Sequence, residues 1–403
     1  MRDAGAATRR AQCRGRPARR GRTRAGLGGR AAASAAHALS ARTPLLPESF
    51  FRALPKVELH CHLLGTVQRA TLTEWVRRER APIPDAEIEA YYTRGDKPVG
   101  VLRVLRALER ELMRQPDDLE RLALEYLESA AAQRVRYAEF FWNPTGAARA
   151  GGIRYRDGLA AIRCAIAHAE SAWGITGRLI AAIDREASPA EALEMVGWVV
   201  AQPCDEVVGL GIDYRETDRP PELFAEAYAL ARRHGLKATA HAGEFGCPWT
   251  NVRTAVELLQ VDRIDHGYTI VDAPDYAREL AARGIVFTVV PTNSYYLRTL
   301  APERWALDHP IRAMAALGLA LHPNTDDPTL HRVTPSQAWE KMHADFGFGI
   351  DALRVCMRHG LDAAWIDAGT RARWRGEFER GFDAALASAQ GAGGALYTRS
   401  ENA

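Results

Sequence analysis

Paired cysteines are missing from this 403-residue chain. Its six (Cys13, Cys61, Cys164, Cys204, Cys247, Cys356) are scattered, with no C-x-x-C and no regular spacing. That argues against a disulfide framework and a thiolate zinc site, and fits a reducing, cytoplasmic compartment. Long apolar runs are missing too. No stretch approaches the roughly 18 uninterrupted apolar residues that would span a bilayer, so no membrane role is expected. With 47% hydrophobic and 26% charged residues the composition is that of a soluble globular protein. Acidic residues are almost absent from positions 1–45, which hold eleven Arg and one Asp and so carry about +10. Against a net charge of +3, the rest of the chain is left near −7. A mildly acidic body lacks the basic stripe that a nucleic-acid partner needs.

The Arg- and Ala-rich segment 1–45 has too few large apolar residues to fold, and reads as a disordered extension. No apolar core follows its charges, so it is not a secretory signal. A transit peptide and a start placed upstream of the true one both stay open. From about residue 46 to 388 the chain reads as one domain, and 389–403 as a flexible Gly/Ala/Ser tail.

Within that domain strand-like and helix-like segments alternate, the pattern of a parallel sheet wrapped by helices. Eight strands are predicted, at 57–62, 136–142, 177–184, 206–213, 237–244, 263–267, 285–291 and 319–326. Amphipathic runs at 118–133, 155–173, 189–201, 221–234 and 274–283 repeat apolar residues every three or four. Ser188-Pro189 marks a helix start, and Gly235 after Arg232-Arg233-His234 a helix stop. Eight such units predict an α/β fold, a TIM-type (β/α)8 barrel. The stretch 66–135 is helical in pattern and too long for a plain crossover, so a helical insertion after the first strand is expected to cover the barrel mouth. Further helices are expected after the eighth strand, to about residue 387.

The chemistry-bearing residues fall at the C-terminal ends of these strands, where barrel enzymes build their sites. His60 and His62 end the first, His241 and Glu244 the fifth, His266 the sixth, Asp326 and Asp327 the eighth. Alternate residues of a strand share a face, so His60 and His62 can address one ion while Cys61 turns away. Three imidazoles and a carboxylate suit one first-row divalent metal such as zinc, with a position open for water. A lone buried histidine is more often a hydrogen-bonded core residue, and a lone Asp-Asp a helix cap. Seven polar residues on one face outweigh that reading.

The strings Pro55-Lys56-Val57-Glu58-Leu59-His60-Cys61-His62-Leu63, His241-Ala242-Gly243-Glu244, Arg263-Ile264-Asp265-His266-Gly267 and Asn324-Thr325-Asp326-Asp327-Pro328 resemble the adenosine/adenine deaminase family, in order, from about residue 54 to 360. The resemblance implies the mononuclear-zinc branch of the amidohydrolase barrels, with one Zn2+ per subunit on His60, His62, His241 and Asp326. It implies hydrolytic release of ammonia from C6 of a 6-aminopurine. Glu244 resembles the proton donor to purine N1, His266 the group that orients the attacking water and takes its proton, and Asp327 the contact to N7. A carboxylated lysine bridging two metals is not expected, because the only lysines are Lys56, Lys97, Lys237 and Lys341, and none ends the fourth strand. The other zinc-deaminase signature, H-x-E with P-C-x-x-C, is absent.

The chain departs from the family's pattern at position 64, where Leu stands in place of an acid: Asp in adenosine-acting members, Glu in adenine-acting ones. Loss of a buried acceptor bears on substrate choice more than on chemistry. The expected substrate contacts are Leu64, Trp142, Gly211, Tyr295 and Asp327, with Leu63 and Tyr296 beside them and Arg298 within reach of an anionic group. A substrate other than unmodified adenosine is expected: bare adenine, a substituted adenine or a modified nucleoside. Two further readings stay open: a mononuclear-metal hydrolase acting on an amide or phosphoester, and a non-catalytic purine-binding paralogue. Nothing in the sequence speaks to oligomeric state.

Overall fold

The computed structural model describes residues 45–93 and 100–397. Eight parallel strands run in chain order: β1 (Lys56–His62), β2 (Val135–Trp142), β3 (Thr176–Asp184), β4 (Val207–Asp213), β5 (Lys237–Ala242), β6 (Arg263–His266), β7 (Val286–Val289) and β8 (Ala320–Pro323). Each is hydrogen-bonded to the next. The ring closes just past β8. There His62 N donates to Asp326 O at 2.7 Å and Asp326 N donates to His60 O at 2.9 Å. Closure and site are therefore built by the same residues. All seven residues of β1 are buried, as expected of a strand covered on both faces.

Most of the apolar core lies between the strands and the helices. A small inner cluster of Phe141, Ile180 and Ala182 fills the barrel below the site. The crossover helices fall where periodicity placed them, among them Pro116–Ala132, Tyr155–Trp173, Pro189–Val200 and Pro274–Arg283. Ser188 caps its helix by accepting from Glu191 N at 3.2 Å, and Gly235 takes φ 81° after the helix that ends at Arg233.

The insertion after β1 is helical, with Arg69–Glu79, Asp85–Tyr92 and Val101–Ala107 preceding the crossover helix. Arg106 ties it to the barrel rim, donating to Asp184 at the end of β3 (2.7 Å) and to Glu109 (2.9 Å). β5, β7 and β8 end earlier than sequence patterning suggests. Their last residues leave the ladder to enter the site: Gly243 (φ 67°) and Asp326 (φ 67°) turn into left-handed backbone, which does not continue a strand. At the other end, the final helix spans Ala368–Tyr397 and continues past residue 387. It thus takes in positions read as tail. The 1–45 extension, apart from Leu45, lies outside the described residues. Among the described residues, no helix is long and apolar enough to cross a membrane.

Candidate active site

Four ligand atoms converge at the C-terminal rim of the barrel. His241 Nε2 lies 3.1 Å from His60 Nε2 and 3.0 Å from His62 Nε2, and Asp326 Oδ1 lies 3.5 and 3.2 Å from those same two nitrogens. Ligands about 2.0–2.1 Å from a tetrahedral ion stand about 3.3–3.4 Å apart, so these contacts are the edges of a coordination shell. The chemistry of the donors agrees. His60 Nδ1 faces Thr288 O (3.2 Å) and Oγ1 (3.1 Å), His62 Nδ1 faces Asp213 Oδ2 (3.3 Å) and His241 Nδ1 faces Asp265 Oδ2 (3.4 Å). An acceptor thus stands opposite the outer nitrogen of each ring, the arrangement that leaves Nε2 as the ligand atom. Three lone pairs and a carboxylate oxygen in mutual contact repel one another until a cation joins them. The residues present therefore fit one divalent metal. Cys61 points away, toward Tyr126 of the crossover helix.

The surrounding charges reinforce this centre. Burial works to raise the Asp326 carboxyl, but His60 and His62 beside it hold it well below the usual carboxylate range. Burial likewise opposes ionisation of Asp265, yet His241, His60 and Arg263 keep it charged. Burial pushes His241 down, favouring the neutral ring a metal needs.

Glu244 and His266 form the second part of the site. Glu244 Oε2 lies 3.5 Å from His266 Nε2, and Glu244 Oε1 accepts from Asn293 Nδ2 at 3.0 Å. Burial, then the negative charge of Asp326, push the Glu244 carboxyl well above its ordinary value. His266 is pushed well below its ordinary value by burial, then by the neighbouring His60. Among the described residues its Nε2 is buried with no hydrogen-bond partner, while Nδ1 stands 3.4 Å from Tyr268 Oη. Burial thus pushes the carboxyl toward its neutral form and the imidazole toward its own, and the two face one another 3.5 Å apart. His266 also takes φ 65°, a left-handed strand end followed by Gly267 at φ 74°.

Asp327 is buried, with its carboxylate against Gly65: a Cβ built on that glycine would come within 1.9 Å of Asp327 Oδ1. Only glycine fits there. Nearby, Ser294 Oγ and His331 Nε2 are 3.1 Å apart, and His331 Nε2 is 3.8 Å from Asp327 Oδ2.

A cavity of about 860 Å³ joins these groups to the surface. Its walls include His62, His241, Glu244, Asp326, Asp327 and Tyr295. Three of the expected substrate contacts, Trp142, Gly211 and Leu64, lie off the wall of this cavity. Trp142 faces outward and stacks on Tyr155 of the Tyr155–Trp173 helix (5.7 Å between centroids, 11°), because β2 turns the adjacent Phe141 inward. It is Phe141 that stacks on His62, at 5.0 Å. Gly211 lies one layer lower, where a Cβ would come within 2.6 Å of the Phe141 ring; it makes room for that ring and does not meet the cavity. Leu64 is buried in the core, and Leu102 and Leu105 of the insertion form the apolar wall instead. Leu63 and Tyr296 are likewise core residues, whereas Arg298 lines the cavity.

Sequence reasoning missed the partners that orient the site: Asp213, Asp265, Thr288, Asn293 and Glu216. Glu216 is buried and receives Gly243 N (2.9 Å), Glu244 N (3.1 Å) and Asn251 Nδ2 (2.7 Å). Their one sequence signal is position, in or just after a strand end.

A closed (β/α)8 barrel with His60, His62, His241 and Asp326 in mutual contact at its C-terminal rim, and His266 beside His60, His241 and Asp326, defines a metal-dependent hydrolase of the amidohydrolase type. More narrowly, residues 55–379 match the family model described as adenosine deaminase, and the chain belongs to that family. It is 34% identical over 282 residues to an adenine deaminase of Rhodospirillum rubrum, covering 70% of this chain and 83% of that one. A Streptomyces coelicolor adenine deaminase is 32% identical, with 83% and 97% covered. Among solved structures, a zinc-bound amidohydrolase from Burkholderia ambifaria superposes with TM-score 0.85 at 58% identity, covering 87% of this chain and 98% of that one. Adenine deaminase from Arthrobacter aurescens gives TM-score 0.73 at 28% identity, with 81% and 98% covered.

Proposed function

We propose that this protein is a zinc-dependent deaminase that converts a 6-aminopurine and water into the 6-oxopurine and ammonia. The observation that carries this reading is the cluster of three histidines and one aspartate at the barrel rim with Glu244 facing His266 beside it; of these, His62, His241, Asp326 and Glu244 open onto the cavity. His60, His62, His241 and Asp326 would hold the ion. A bound divalent metal supplies a water whose pKa falls from 15.7 toward about 7. His266, which burial pushes toward the neutral ring, would orient the attacking water and take its proton. Glu244, held protonated by burial, donates to purine N1 as C6 becomes tetrahedral and the ring loses aromaticity. Asp327, fixed against Gly65, meets N7, with the shared proton on either partner. The proton taken up by His266 would pass to the amino group, which leaves C6 as ammonia, and the hydroxyl proton would return to Glu244 as the 6-oxo group forms, so one water is consumed per ammonia released.

The preferred purine is not unmodified adenosine. The cavity's volume of about 860 Å³ is more than a base alone fills. Leu102, Leu105, Phe245 and Tyr295 give the outer cavity apolar and aromatic walls, and Arg298 stands among them. These walls favour a substituted adenine or a modified nucleoside over bare adenine. The scattered cysteines, five of them free in the structure, support a cytoplasmic setting. An ammonia-coupled screen of adenine, alkylated adenines, adenosine and 5′-modified adenosines with zinc-loaded protein tests both levels. Adenosine turned over as efficiently as the best alternative contradicts the substrate preference; no ammonia from any purine contradicts the reaction.

A further inference from the structure

Glu244 is gripped at both ends, by residues that touch neither purine nor metal in the scheme above. Asn293 begins the Ser294–Thr299 helix, and its Oδ1 accepts from Tyr295 N (3.0 Å) and Tyr296 N (3.4 Å). With the oxygen committed to the helix end, the amide has one orientation, and Nδ2 must point at Glu244 Oε1. An N–H donor on Oε1 excludes a proton from that oxygen. A neutral Glu244 therefore carries its hydrogen on Oε2, the oxygen that faces His266 across the site. At the other end, Glu216 binds the peptide N–H groups of Gly243 and Glu244 with its two carboxylate oxygens and takes a third bond from Asn251. This fixes the left-handed turn at Gly243 from which Glu244 projects.

We infer that Asn293 and Glu216 are positioning residues that present the Glu244 proton on Oε2, and that Asn293 chooses the oxygen. This rests on the deaminase reading and deepens it. The informative substitution is Asn293→Asp. Aspartate caps a helix as well as asparagine does, so the fold is kept. What changes is the group facing Oε1, from a donor to an acceptor, which draws the Glu244 hydrogen away from the substrate. For Glu216→Gln the volume is kept, but an NH2 group is turned toward one of the two peptide N–H groups.

The measurement is a double-mutant cycle on the best substrate of the purine screen, with metal content and Tm recorded for each variant. Asn293→Asp is expected to lower kcat about 10²-fold, the scale of one general-acid contribution. KM, metal content and Tm should stay near wild type. In a Glu244→Gln background the same change should cost nothing further, because Asn293 acts only through Glu244. Glu216→Gln should also lower kcat more than it raises KM. An Asn293→Asp enzyme within threefold of wild type, or losses that multiply in the double variant, overturns the inference. Wild-type protein inert toward every aminopurine overturns the deaminase reading and the inference with it.

Discussion

Eight non-glycine residues of the described chain adopt positive φ; three of them, Tyr214, Asp218 and Asp326, line the cavity, and a fourth, His266, stands behind Glu244. Left-handed backbone of this kind costs on the order of 1–3 kcal/mol per residue and persists where the surroundings enforce it. Hydrophobic alternation cannot show it, so it was not legible in the sequence. The histidines, Glu244 and Asp327 were legible because their chemical types are unusual at buried strand ends. Asp213, Asp265 and Thr288 were not, since an orienting group needs only to offer an acceptor at the right place in space. Glu244→Gln keeps the shape of the proton donor and removes its proton. It should retain the metal and lose about 10² to 10⁴ in kcat. Retained turnover within a few-fold of wild type, measured by ammonia release, removes Glu244 from that role.

At the scale of elements, strands and crossovers were read from periodicity to within a few residues, because buried parallel strands and amphipathic helices each leave a strong signature. The face of β2 was not. A run such as Phe140-Phe141-Trp142 is apolar on both sides, so nothing in it says which ring enters the barrel. The barrel floor was also hidden. There Arg263 of β6 donates to Glu139 of β2 and to Leu59 O (3.0 Å), while Glu139 accepts from Tyr137 Oη (2.6 Å) and Trp365 N (2.7 Å). Both charged groups are fully buried. Removing one partner strands the other, so Glu139→Ala should cost about 3–5 kcal/mol. The check is the urea midpoint. A loss under about 1 kcal/mol would mean that water reaches Arg263.

Across the whole molecule, the (β/α)8 architecture followed from the count and order of alternating segments, whereas stability toward acid depends on packing that no pattern encodes. His309 lies among Tyr268, Tyr296, Trp305 and Phe346, with ring centroids 4.8–5.2 Å away. Its Nδ1 accepts from Ile311 N at 3.2 Å, which requires the neutral ring on that side. Burial pushes its pKa down to about 3. Between the ordinary histidine value near 6.5 and about 3, the unfolded chain binds a proton that the folded one refuses. Stability from this group is full above about pH 6.5 and falls by about 1.4 kcal/mol per pH unit as acid is added through that window. Tm measured from pH 7 to 4 should therefore fall more steeply for wild type than for His309→Asn, whose Oδ1 can keep the bond to Ile311. Parallel curves would show that His309 titrates normally.

The central claim is that one divalent ion, held by His60, His62, His241 and Asp326, makes this barrel a deaminase. The direct test is ammonia release from a 6-aminopurine by protein of known metal content, before chelation, after it, and after zinc is restored. One equivalent of metal per chain is expected, with activity lost on stripping and recovered on reloading. Protein that holds no stoichiometric metal, or that works unchanged after thorough chelation, contradicts the account.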